Sequence, residues 1–310
     1  MTVLRGLGVG KSSFEENIST EAEILADEMK ELRGAAFDPK HLLCNAVSNI
    51  ICSVVFGKRF QYTDPEFKRL LKVAEEILGE AGAAGVIEFS PVFKSLTMLP
   101  FVRRFADIVM KFFNHLKLLL IAHNQNHEAI NPNNLVDIFF QEKERKEREG
   151  VAFPVMEGDN LRHIVGDLFI AGTDTTSTTL LWCLLYMMAY PKVQTQVQKE
   201  LDDVTNRNRL PRISDKPNLP YTEAVLTEVQ RIETIVPTSL PHQCCEDTTL
   251  QGYVSLRYLD EALLVSLPMI SDLYYVQYFG LVLSSRVQSG VICLGFDLFS
   301  WITATFQYFR

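Results

Sequence analysis

Up to about Tyr253, apolar positions recur every three or four residues between prolines and glycines, so the chain reads as successive amphipathic helices rather than strands. Asp38 can cap one whose first residues are Pro39, Lys40 and His41; the apolar run LLCNAVSNIICSVVF follows and Gly57 closes it, the pattern of a buried helix. A second starts after Thr63-Asp64-Pro65 and carries Phe67, Leu70, Leu71, Val73, Ala74 and Ile77 at helical spacing. It is expected to end in the glycine-rich GEAGAAG. A third covers about Arg104 to Asn126, and Asn131-Pro132 is expected to open a shorter one that passes into the charges EKERKERE, Glu142 to Glu149, a solvated helix end with i,i+4 pairs. After Pro191 come a polar helix with Val193, Val197, Leu201 and Val204 on one face, a loop, and a helix from about Tyr221 to Thr234 between Pro220 and Pro237.

The segment between them breaks the pattern. From about Asn160 to Tyr190 the chain is apolar on nearly every side, yet its middle, Thr173 to Thr179, reads TDTTSTT. Threonines are poor helix formers, and Gly172 beside them costs about 1 kcal/mol relative to alanine, so something other than helix stability placed them there. Asp167 and Asp174 interrupt the ~18–20 uncharged residues that a membrane span needs, which leaves a long helix through a protein core.

Composition narrows the function classes. The formal charge of −8, with acidic residues spread along the chain and no long basic stretch, excludes an electrostatic nucleic-acid binder. The cysteines Cys44, Cys52, Cys183, Cys244, Cys245 and Cys293 mostly sit singly in apolar runs, as buried thiols do in a reducing compartment, and no CxxC pair offers zinc or iron–sulfur spacing. Met1 to Lys11 carries Arg5 and three glycines where a secretory signal needs an apolar core of roughly 7–15 residues, so neither a signal nor an N-terminal membrane anchor is expected. GLGVGKSS, Gly6 to Ser13, fails as a phosphate loop because Arg5 stands where the pattern needs its first glycine. His123 and His127 share a helix face without an intervening HExxH glutamate and are expected to be surface histidines.

Ala171, Asp174, Thr175 and Thr178 lie at i, i+3, i+4 and i+7 and line one face of the long helix. Thr175 can bond back to the Ala171 carbonyl and is expected to open the helix locally, making room for water, with Asp174 beside it as proton donor or acceptor. Read alone, this is better taken as a polar stripe facing other helices. A second constellation changes the balance: in TEVQR, Glu228 and Arg231 are i,i+3 and expected to form a buried bidentate pair, and VPTSLPHQCCED follows from Val236.

AGTDTT, ExxR and PHxxxxD in this order and spacing resemble the cytochrome P-450 haem-thiolate monooxygenases, closest to microsomal family 2. FGKRFQY and PYTEAVLTEVQRI extend the resemblance over about residues 1–253. It implies a mainly α chain, the central helical part of that fold with little sheet. The long helix would cross above a haem (heme), Ala171 and Gly172 beside the oxygen-binding face, with Asp174 and Thr175 delivering protons. Glu228 and Arg231 would be the structural pair supporting the thiolate side, and His242 would meet a propionate. Asp167, Phe169, Ile170 and Ala171, with Val236, Thr238, Ser239 and Leu240 in the following turn, would contact substrate. The resemblance further implies lipophilic substrates such as fatty acids or xenobiotics, an NADPH-dependent reductase as partner, and the cytoplasmic face of the endoplasmic reticulum membrane.

The sequence also departs from the pattern. The family's ligand cysteine sits in an F-x-x-G-x-R-x-C-x-G loop; Cys293 shares only the C-x-G ending, with Arg286, Ser289 and Val291 at the phenylalanine, glycine and arginine positions, and is rejected as metal ligand. From Val254 to Arg310 the 57 residues contain no lysine and eleven aromatics and match no familiar motif, so 254–310 is expected to be a divergent apolar tail outside the fold. The family's membrane anchor, first sheet and propionate-holding helix would precede the matched part. The chain then stands either for a haem monooxygenase with an incomplete gene model, Val254-Ser255 being encodable as an intron start read through, or for a non-catalytic truncated product acting at most in binding.

Overall fold

The computed structural model describes residues 12–88, 100–125, 134–150, 160–235, 246–250 and 253–255. Eight α-helices are described among them: α1 Ser12–Glu31, α2 Lys40–Phe56, α3 Pro65–Glu88, α4 Pro100–Gln125, α5 Leu135–Glu149, α6 Asn160–Ala189, α7 Pro191–Thr205 and α8 Pro220–Ile232, with a 3₁₀ turn Ile213–Asn218 before α8. Two three-residue strands, β1 Thr248–Leu250 and β2 Tyr253–Ser255, pair antiparallel with Thr249 opposite Val254, so the ladder crosses the point where the sequence changes character.

Helix ends follow their side chains. Asp38 accepts from the Lys40 N–H at 2.9 Å, and Gly57, at φ 66°, takes the left-handed turn that closes α2. Asp64 accepts from the N–H groups of Glu66 and Phe67 and starts α3 where the sequence put it. The expected stop at GEAGAAG does not occur: α3 runs on to Glu88, because glycine weakens a helix without forbidding it and the stretch holds no proline. α4 begins at Pro100, earlier than Arg104, since proline is well suited to a first helical turn. α5 is opened by Asn134, whose side chain accepts from the Asp137 N–H at 2.9 Å; Asn131 and Pro132 lie outside the described residues.

Two apolar cores form, and two helices run through both. Ile18, Ala22 and Leu25 of α1 pack with Leu43, Ala46 and Val47 of α2, Leu180, Cys183 and Met187 of α6, and Val197 and Leu201 of α7. The second core joins Ile51, Val55 and Phe56 of α2 to Phe67 and Leu70 of α3, Phe112 and Leu116 of α4, Val136 of α5, and Leu161, Val165 and Phe169 of α6. Helices α2 and α6 are therefore the common wall, and α6 approaches α4 so closely that a methyl on Gly166 would lie 2.7 Å from the Phe113 ring.

Candidate functional site

The polar middle of α6 divides between two sides. Toward α2, the Ser48 hydroxyl donates to Thr173 Oγ1 at 3.1 Å and the Cys44 thiol donates to Ser177 Oγ at 3.4 Å, so these hydroxyls are satisfied across a helix–helix contact. Away from that contact Asp167 and Ala171 are exposed and Thr175 and Thr178 partly buried, while Asp174 is half-buried near Lys40 of α2 and Glu75 of α3. The stripe that the spacing selects is thus the less buried side of the helix.

Thr175 Oγ1 donates to the Ala171 carbonyl at 2.6 Å, and Thr179 Oγ1 to the Thr175 carbonyl at 2.8 Å. The expected local opening is not found: α6 stays α-helical from Asn160 to Ala189, because a carbonyl has two lone pairs and can accept the hydroxyl while keeping its helical N–H. Burial pushes the Asp174 carboxyl above its ordinary range; Lys40 opposes this and Glu75 adds to it. Lys40 and Glu75 form an ion pair between α2 and α3. Neither residue was legible in the sequence as part of the site, since nothing local links positions 40 and 75 to 174.

Other expected site residues separate. Gly172 is buried, Ile170 is partly buried, and Phe169 is 1% exposed with its ring 6.3 Å from that of Phe112, so it faces the core and not the less buried side. Glu228 and Arg231 do form the bidentate pair, both bonds at 2.7 Å, but their side chains are 53% and 57% exposed, which corrects the expected burial. The reason is helical phase: Thr222 and Val229 are the buried positions of α8, and the pair stands on another face. Val236, Thr238, Ser239, Leu240, His242 and Cys293 lie outside the described residues. His123 corrects the expectation of a surface histidine: its Nε2 is 2.6 Å from Oδ1 of buried Asp137, with the ring against Phe56. His127 lies outside the described residues. A cavity of about 570 Å³ between α3 and α4, lined by Glu76, Arg103, Arg104, Asp107 and Lys111 among others, contains none of these site residues.

A sequence model described as Cytochrome P450 matches residues 1–256. The chain belongs to the cytochrome P450 family. It is 40% identical over 256 residues to cytochrome P450 2U1 of Homo sapiens, covering 81% of this chain and 46% of that protein. Identity is 37% over 261 residues to cytochrome P450 2J2 of Homo sapiens, covering 82% and 50%, and 39% over 258 residues to cytochrome P450 2D27 of Mesocricetus auratus, covering 82% and 51%. The chain spans about half the length of the curated relatives it matches.

Family membership implies haem as cofactor. On the side of α6 the described residues are of the kind it needs: an exposed small residue, Ala171, followed one turn on by an acid, Asp174, and an alcohol, Thr175. The described cysteines do not fit the axial thiolate. Cys52 and Cys183 are buried in the two cores and burial pushes both thiols up, Cys183 to about 12, while Cys44 is pushed up by burial and bonded to Ser177. Among the described residues no group of three or more His, Cys, Asp or Glu could hold a metal ion, and no helix is long and apolar enough to cross a membrane.

Proposed function

We propose that this chain provides the oxygen-side wall and the proton-delivery groups of a haem monooxygenase acting on lipophilic small molecules such as fatty acids or xenobiotics. An NADPH-dependent reductase at the cytoplasmic face of the endoplasmic reticulum membrane supplies the electrons. The observation that carries the reading is the Thr175–Ala171 bond of 2.6 Å on the less buried face of α6, beside an Asp174 whose carboxyl is raised by burial. Haem bound through a thiolate supplies the activation of oxygen. Asp174 holds and releases a proton one helical step from Thr175, whose hydroxyl is fixed by the Ala171 carbonyl with its own oxygen left to accept from water. Ala171 allows close approach of the cofactor, with buried Gly172 acting only through the backbone of α6; Asp167 and Ile170 border the substrate space, and Val236, Thr238, Ser239 and Leu240 close it from the following segment. His242 holds a propionate, and the Glu228–Arg231 pair awaits a covering segment on the thiolate side. Phe169, packed on Phe112, acts on substrate shape only through the position of α6.

The test is Thr175→Ala in the full-length protein with its reductase. Product formation should fall by up to about 10²–10⁴-fold while reductant consumption continues and peroxide appears. If Thr175 only packs, the melting temperature drops and the product-to-reductant ratio stays unchanged, which overturns the relay. A second reading, a non-catalytic binding product, is favoured by the lack of a suitable thiolate among the described cysteines.

A further inference from the structure

Two turns beyond Thr175, at i+7 and about 10 Å along the axis, α6 carries Trp182, and aromatic residues then recur at i+4 as Tyr186 and Tyr190. The Trp182 and Tyr186 rings lie 6.2 Å apart, and those of Tyr186 and Tyr190 are 6.1 Å apart and stacked at 9°. Trp182 and Tyr186 are partly buried, whereas Tyr190 is 57% exposed at the start of α7. The ladder therefore leads from the face of Asp174 and Thr175 to the surface. The Tyr186 hydroxyl donates to Glu233 Oε1 at 2.6 Å, so the middle member already has a proton acceptor in place. Packing accounts for apolar rings at i+4 but not for a phenol aimed at a carboxylate just beyond the end of α8.

We propose that Trp182, Tyr186 and Tyr190, with Glu233 as proton acceptor, form a one-electron relay that carries oxidising equivalents from the α6 face to the surface. The inference rests on the function proposed above for its source of oxidant, a strong one-electron oxidant produced when oxygen is reduced beside Ala171 and Thr175. In the first step Trp182 gives up one electron to that oxidant and its indole N–H proton to water. Tyr186 then gives one electron to the indolyl radical while its O–H proton passes to Glu233, and Trp182 regains a proton from water. Tyr190 next gives one electron to the Tyr186 phenoxyl radical, which takes its proton back from Glu233, and the Tyr190 proton goes to water. A thiol or other small one-electron donor in solution returns an electron and a proton to Tyr190. Each step restores the preceding residue, so only the oxidant and the donor are consumed. The bond to Glu233 also pushes the Tyr186 phenol up to about 12, so its proton stays in place until the ring is oxidised.

The relay is tested without haem, by pulse radiolysis of the 310-residue chain with azide radical as oxidant. The chain's two tryptophans make Trp301→Phe the working background, in which the indolyl radical forms at Trp182. Its absorbance should decay by a first-order process independent of protein concentration as phenoxyl absorbance rises. Tyr186→Phe should slow this decay, and so should Glu233→Gln, which keeps all three rings and removes the proton acceptor, by about tenfold or more. Tyr190→Phe should leave the first step intact. Helical circular dichroism confirms that each variant is folded, and Glu233→Gln serves if Tyr186→Phe is not. Decay that is only second order in protein, or a rate unchanged in both Tyr186→Phe and Glu233→Gln, overturns the relay. Because the radical is made chemically, that failure is separate from any failure of the monooxygenase reading, which Thr175→Ala tests.

Discussion

Asp174 and Asp215 are two carboxylates displaced in opposite directions, and stability should follow each accordingly. Burial raises the folded pKa of Asp174, so between its unfolded and folded values the native state holds a proton that the unfolded chain has lost. Stability falls as pH rises through that window. Asp174→Asn should therefore stabilise the chain at neutral pH, with an advantage that disappears below the ordinary carboxylate range, as read in urea melts. Asp215 is lowered, first by its bond to Arg209 and also by the Arg212 N–H, so its contribution is present at neutral pH and lost as pH falls through its folded value. Asp215→Asn should destabilise at pH 7 and converge with the wild type in acid. An Asp174→Asn variant less stable at pH 7 would mean that Asp174 is a structural acid and not a strained functional one. The bond from Thr175 to Ala171 was legible in the sequence because its partners are i,i+4 on one helix. The burial of Phe169 and His123 was not, since it depends on Phe112 and Asp137 arriving from other helices.

Two ion pairs stand in contrasting surroundings. Glu21 of α1 is buried and accepts from Arg59 at 2.7 Å, Tyr62 at 2.6 Å and Asn49 at 3.3 Å, while Asn49 also exchanges hydrogen bonds with the backbone of Phe60. This network fixes the FGKRFQY loop between α2 and α3 onto α1. Glu21→Ala leaves the partners of a buried carboxylate unsatisfied and should cost about 3 kcal/mol in denaturant unfolding. Glu228 and Arg231 share an equally good fork but stand in solvent, so Arg231→Ala should leave the urea midpoint unchanged within error. A large loss there would show that the pair is covered. At the α4–α6 crossing, Gly166→Ala would force the Phe113 and Phe112 rings to move and should destabilise by about 1–3 kcal/mol despite the better helix propensity of alanine. Helix positions were readable from apolar spacing and prolines. The face α8 would bury was not, because the ExxR spacing gives two residues a common side without saying which side packs.

Among the described residues, α2 and α6 hold two cores together, and Ala171, Asp174 and Thr175 lie along the less buried side of α6. In this reading the helices form the oxygen side of a haem site, while none of the described cysteines is placed to be its thiolate. Cys52 and Cys183 belong to the cores, Cys44 is bonded to Ser177, and Cys293 lacks the flanking residues of a ligand loop. The most direct measurement is the absorbance spectrum of the recombinant 310-residue chain supplied with haem, reduced and treated with carbon monoxide. No long-wavelength Soret band of the thiolate type is expected. A stable long-wavelength band that disappears on Cys293→Ser, or on replacing any one of the other cysteines, would contradict it.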